Sequence, residues 1–109
     1  VSGAANPARG EAALTVAGEI LRLRPSFEAL VAAEEELGPL FALVERAAAG
    51  GLRIAEIAGL FWHCAEPKPE GLSRERIGAA VVEQGLAGVT PVLKVLLSQI
   101  LLGGSTGSP

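Results

Sequence analysis

The chain contains no Asp, Tyr or Met, one cysteine (Cys64) and one histidine (His63). One cysteine excludes an internal disulfide and a multi-cysteine zinc site, and a reducing cytosol suits a lone thiol. With one histidine and no Asp, a catalytic triad would need Glu as its third member. Aromatic residues make up 4% of the 109 residues, so Ala, Val, Leu and Ile must build the core, which suits helices packed closely through small side chains. Nine Lys and Arg stand against twelve acidic residues, a net charge of −3. That balance argues against a nucleic-acid protein, whose affinity rests on cations neutralising phosphates. A membrane-spanning helix needs roughly 20 apolar residues, and the apolar stretches here are shorter. Gly50-Gly51 and Gly103-Gly104 are isolated pairs that form no phosphate-binding motif. Residues 1–10 are polar and lack the apolar segment of a secretory leader.

What the chain does have is apolar surface: half its residues are hydrophobic and its mean hydropathy is +0.43. Its length fits a single domain, expected over 11–102 between flexible tails at 1–10 and 103–109. Ala12, Leu14 and Val16 alternate with polar or small neighbours, Ala17-Gly18 reads as a turn, and Leu21 and Leu23 alternate with Ile20, Arg22 and Arg24. This predicts a β-hairpin over about 11–24. An isolated hairpin is marginal in water, so it should lie on helices or on a neighbour's sheet.

Helices follow over about 27–102. Ser26 is a good N-cap for a first helix, Phe27 to about Leu37, ending at Gly38. Its expected inward stripe is Phe27, Leu30, Val31 and Leu37. A second helix, Pro39 to about Ala49, should bury Leu40, Leu43, Val44 and Ala47. A third, about Arg53 to Ala65, should bury Ile54, Ile57, Ala58, Phe61 and Ala65, with Trp62 at the edge. Glu66-Pro67-Lys68-Pro69-Glu70-Gly71 cannot be helical. Ser73 then caps a fourth helix, about Arg74 to Gln84, with Ile77, Ala80 and Val81 inward and Gly85 as its stop. The last helix starts either at Leu86, where Pro91 should kink it, or at Thr90-Pro91, as N-cap and first turn. The fold class is therefore mostly α (α+β): an N-terminal hairpin and four or five packed helices.

Three features could carry chemistry or binding. His63 and Cys64 are adjacent, so on a helix they point about 100° apart and cannot act on each other. They read as a buried thiol beside a solvated histidine. In Glu34-Glu35-Glu36, the last two read as a solvated face, whereas Glu34 projects on the apolar stripe of the first helix. An unpaired carboxylate there is costly, so Glu34 should meet Arg22, Arg24, Arg53 or a helix N-terminus. The third feature is the last helix. At 100° per residue, Val89, Val92, Leu93, Leu96, Leu97, Ile100 and Leu101 cover about half its circumference. Lys94 and Ser98 form a polar strip, and Val95 and Leu102 lie beyond it as unplaced apolar surface. The small size of the domain favours a central helix wrapped by the other four. The alternative is a face for an apolar partner or for self-association. With one Lys and almost no hydrogen-bonding side chains, this helix cannot read base edges. No catalytic, cofactor-binding or metal-ligating residue is expected.

The order of these elements resembles the gene transfer agent family of phage tail assembly chaperones. The resemblance rests on Ala29-Leu30-Val31-Ala32-Ala33-Glu34-Glu35-Glu36-Leu37-Gly38 after the hairpin, on Ala49-Gly50-Gly51-Leu52 closing the second helix, and on Glu83-Gln84-Gly85-Leu86-Ala87-Gly88 before the apolar last helix. It spans about residues 11–104. Pro91 and the Pro67/Pro69 loop depart from the pattern and bear on where the last helix starts. The resemblance implies a non-enzymatic protein of the host cytoplasm that shields the tape measure protein until tail tube subunits polymerise around it. The family is also labelled a tail tube component, so the alternative is a structural subunit of the tail. Glu34, matching the family's helix-one Glu, is with Val95 and Leu102 the candidate partner-binding set.

Overall fold

The computed structural model describes residues 12–66 and 68–102. The expected tails, and Glu11 and Pro67, lie outside that range. Strands β1 (Ala12–Val16) and β2 (Glu19–Leu23) pair antiparallel, in register from Ala12 opposite Leu23 to Val16 opposite Glu19. The two residues between them, Ala17 and Gly18, have φ of 53° and 83°. Positive φ at both central positions marks the type I′ turn, whose twist matches that of the strands. Ala12, Leu14, Val16, Leu21 and Leu23 are buried on one face, while Thr15, Ile20 and Arg22 face solvent. The period-two alternation thus places the hairpin on a helical layer, as expected.

That layer contains α1 (Phe27–Leu37), α2 (Leu40–Ala48), α3 (Ile54–Cys64), α4 (Arg74–Gln84) and α5 (Leu86–Leu102). Ser26 Oγ accepts the Ala29 N–H at 3.2 Å, and Ser73 Oγ accepts the Arg76 N–H at 3.2 Å, so both predicted serine caps form. α3 begins without a serine. Glu56, in its first turn, reaches back to accept the Arg53 N–H at 2.9 Å, half of a capping box. Gly85, at φ 84°, turns the chain sharply between α4 and α5.

Of the two expected starts for α5, the earlier is the real one. The helix begins at Leu86, and Pro91 lies inside it. Thr90 does not cap it; its hydroxyl donates to the Leu86 carbonyl at 2.7 Å. Pro91 has no N–H to offer the Ala87 carbonyl. Both residues are exposed, so solvent reaches the orphaned group.

The central helix is α3, not α5. Ile57, Ala58, Gly59, Leu60, Phe61 and Cys64 are all buried, six of the eleven residues of α3. It is packed chiefly against α1 and α4. Beyond its end the chain runs along β2: the Arg24 N–H donates to the Cys64 carbonyl at 2.7 Å, the Glu66 N–H donates to the Arg22 carbonyl at 3.0 Å, and Leu23 bridges to Ala65. Gly59 faces α1 here: a Cβ on it would meet Leu37 Cδ2 at 3.5 Å, an ordinary van der Waals contact. In α5 only Val89 and Leu96 are fully buried. That helix packs from one side against α4, β1 and α2. Gln84 fastens the end of α4 to the hairpin, its Nε2 donating to the Thr15 carbonyl at 2.7 Å.

Two expected apolar stripes are also corrected. In α1 the expected Leu30 and Leu37 do pack on the core, together with Ala29 and Ala33, but Phe27 is 82% exposed and Val31 is exposed. At the start of α3, Ile54 is exposed as well. A face of alanines allows closer helix contact than the bulkier Phe27/Val31 face, and dispersion rewards the closer fit.

Candidate functional site

Glu36, which the sequence assigned to a solvated face, is instead the centre of an ionic cluster joining three helices. Both of its oxygens accept from the Arg74 guanidinium at 2.5 Å, a two-pronged contact from α1 to α4. His63, on α3, donates from Nε2 to Glu36 Oε1 at 2.8 Å and lies 3.3 Å from Arg74 Nη2. The His63 side chain is only 15% exposed, so it is not the solvated histidine expected. The Arg74 hydrogen bonds, and then that of His63, hold the Glu36 carboxyl down at about 2 instead of the usual 4.5. The same bonds raise the Arg74 guanidinium. A second pair, Arg46 Nη1 to Glu56 at 2.8 Å, links α2 to α3. Glu56 is lowered first by the Arg53 backbone N–H and then by Arg46.

These groups fasten helices and do not converge on a cavity. Cys64 is buried as expected, and burial pushes its thiol up to about 12, the opposite of what a nucleophile needs. Lys68 lies 5.1 Å from the centre of the Trp62 ring, a cation–π contact that anchors the loop after α3. Among the described residues no three His, Cys or Glu side chains are placed to hold a metal ion.

The feature without a structural task is apolar. Between α1, α2 and the end of α5 lies an open groove of about 310 Å³, lined by Leu30, Glu34, Leu40, Phe41, Val44, Ile100 and Leu101. Glu34 is exposed at this groove, and its Oε2 accepts the Leu40 N–H at 3.1 Å. Of the partners expected for it, the helix N-terminus is the one it meets. The residue before Leu40 is Pro39, which has no side-chain acceptor, so Glu34 substitutes as the cap of α2. Phe41 is 71% exposed beside it. The other candidates from the last helix are not in the lining: Val95 is half-buried against the core, and Leu102, next in the chain to Leu101 of the groove, ends α5 at 80% exposure. A shallower groove of about 130 Å³ flanks the opposite ends of α2 and α5, at Ala47, Leu52, Leu86 and Leu93. Sequence periodicity missed the larger groove because it assigned Leu30, Leu40, Val44, Ile100 and Leu101 to covered stripes. The available signal was Glu34: a stripe that carries a carboxylate is a poor candidate for burial.

The fold and surface therefore define a small hairpin-and-five-helix protein whose ionic groups hold its helices and which carries an open apolar groove between α1, α2 and α5. Residues 9–103 match the family described as phage tail tube protein, GTA-gp10, and the chain belongs to that family. It is thus related to the tail proteins of phages and gene transfer agents. Neither a curated protein nor a solved structure matches the chain. Among the described residues no single helix is long and apolar enough to cross a membrane.

Proposed function

We propose that the chain is a non-enzymatic structural subunit of a phage or gene transfer agent tail, and that it binds other tail proteins through the surface formed by α1, α2 and α5. The observation that carries this reading is the uncovered apolar groove with exposed Phe41 and Leu101 in its lining. The family's description as a tube protein favours the subunit over the tape measure chaperone, which the sequence resemblance placed first. In this reading Glu34 fixes the angle of α2 at the groove and Leu102 extends the apolar rim. Val95, which borders neither groove, supports α5 from the core side. The protein works in the virion tail, after folding in the host cytoplasm.

One observation favours the chaperone as a second reading. The groove is open along its length and apolar, which suits side chains from a partner helix. Mass spectrometry of purified particles separates the two. A stoichiometric amount of the chain in finished particles supports the subunit. A soluble complex with co-expressed tape measure protein, absent from finished particles, supports the chaperone and overturns the subunit.

A further inference from the structure

We propose that α5 has two N-terminal limits. One is Leu86, as in the structure. The other is Pro91, in a second, less populated state in which Thr90 is the N-cap and residues 86–89 are released as a linker. The exchange between them is a hinge separating α4 from the rest of α5. Three observations carry it.

The first is the backbone. Pro91 offers no N–H to the Ala87 carbonyl, and a proline ring inside a helix crowds the carbonyl four residues before it. Gly88, in the same stretch, is the poorest helix former after proline. The turn from Leu86 to Thr90 is therefore the weakest part of α5.

The second is Thr90. Its hydroxyl donates to the Leu86 carbonyl at 2.7 Å, a type of bond that adds little to a helix. In a helix that starts at Pro91, the same oxygen turns to accept the Leu93 N–H, three residues on. Ser26 and Ser73 make that bond to Ala29 and Arg76 at the starts of α1 and α4. Proline suits the first position of the shorter helix, where an N–H would have no partner anyway. Thr90 thus has a hydrogen bond to make in each state.

The third is packing. Between Leu86 and Thr90 only Val89 is fully buried, and Leu86 is 51% exposed. The shallow groove of about 130 Å³ runs beside Leu86, Val89 and Thr90, so open space backs this turn. Beyond Pro91, Leu96 is fully buried and keeps the shorter helix docked. Ile100 and Leu101 at its far end form one wall of the larger apolar groove. Uncoupled from α4, the helix can tilt about Leu96 and reset that wall. This use of the hinge rests on the groove being the binding surface; the hinge itself does not.

Amide hydrogen exchange of the full chain, followed by NMR, tests the two limits. The Gly88, Val89, Thr90 and Val92 amides are expected to exchange through one shared opening, with a step up in protection at Leu93, whose N–H is bonded in both states. Pro91→Ala should slow that opening at least ~10-fold by giving the Ala87 carbonyl a donor. Thr90→Val removes the cap of the shorter helix and should slow it about 5-fold, while Thr90→Ser keeps the hydroxyl and stays close to wild type. If the Thr90–Leu86 bond only fastened the observed helix, Thr90→Val would exchange faster. Faster or unchanged exchange in Thr90→Val overturns the proposal. So does protection that climbs gradually from Gly88 to Leu96, the pattern of ordinary fraying. Both readouts are independent of whether the chain is found in finished particles, so the hinge and the subunit reading stand or fall separately.

Discussion

α3 and α5 are the two most apolar helices, and they have opposite fates. α3 has six of eleven residues buried, on every side but the one carrying Ala55 and Trp62. α5 is longer, at seventeen residues, and has two fully buried. Apolar content alone does not decide which helix becomes the core. α3 lies between α1 and α4 and passes its chain directly to the edge of β2. α5 arrives last and finds neighbours on one side. The same contrast divides the two sides of the molecule. On the α1–α3–α4 side, Glu36, His63 and Arg74 lock the helices. On the α1–α2–α5 side an open apolar groove remains.

The contrast breaks most readily at the helix centres. Leu60→Ala in α3 should cost about 2–5 kcal/mol, since it removes a fully buried side chain and leaves a cavity. Leu102→Ser in α5 should stay within about 0.5 kcal/mol, as is usual for an exposed position. Urea unfolding of the two variants checks both, and comparable losses would overturn the assignment of α3 as the core. On the groove side, Glu34→Ala should cost about 1 kcal/mol by uncapping α2. Glu34→Gln keeps an acceptor and should cost less, so equal losses would show that the Leu40 N–H is not what Glu34 serves.

On the locked side the effect is smaller and depends on pH. The Glu36 carboxyl is held at about 2 in the folded protein, below its usual 4.5. A depressed carboxylate contributes stability above its unfolded value and loses it as pH falls from about 4.5 toward 2. Glu36 is 38% exposed, so solvent screening limits the contribution to about 1 kcal/mol or less. Glu36→Gln should flatten the fall in melting temperature across that window. The smallest change lies in the hairpin, apart from both sides. Ala17→Gly relieves an alanine held at φ 53° and should stabilise by about 0.5 kcal/mol, read as a small rise in melting temperature. A fall would show that the turn tolerates its alanine without strain.

Much of the fold was legible because it is written in local signals. The alternation around Ala17-Gly18, the serines before α1 and α4, and the glycines at 38 and 85 each mark an element boundary through contacts a few residues apart. Less of the surface was legible. Helical spacing places Phe27, Leu30, Val31 and Leu37 on one stripe of α1 with Glu34, but it cannot say that Leu30 and Leu37 turn inward with Ala29 and Ala33 while Phe27 and Val31 stay outside. Glu36 looked like a solvated acid because its partners are 27 and 38 residues away.

The sequence by itself therefore determined the hairpin, the approximate limits of the first four helices, the burial of Cys64 and the odd placement of Glu34, because caps, turns and periodicity act over one or two turns of chain; where the last helix starts it left open. Only the tertiary structure decided that α3 is central, that Glu36, His63 and Arg74 meet, that Glu34 caps α2, and that a groove stays open between α1, α2 and α5. Those outcomes depend on which faces compete for a limited core. In a chain this small and this apolar there is more hydrophobic surface than the interior can accept, and close packing, not hydrophobicity, settles what is left outside.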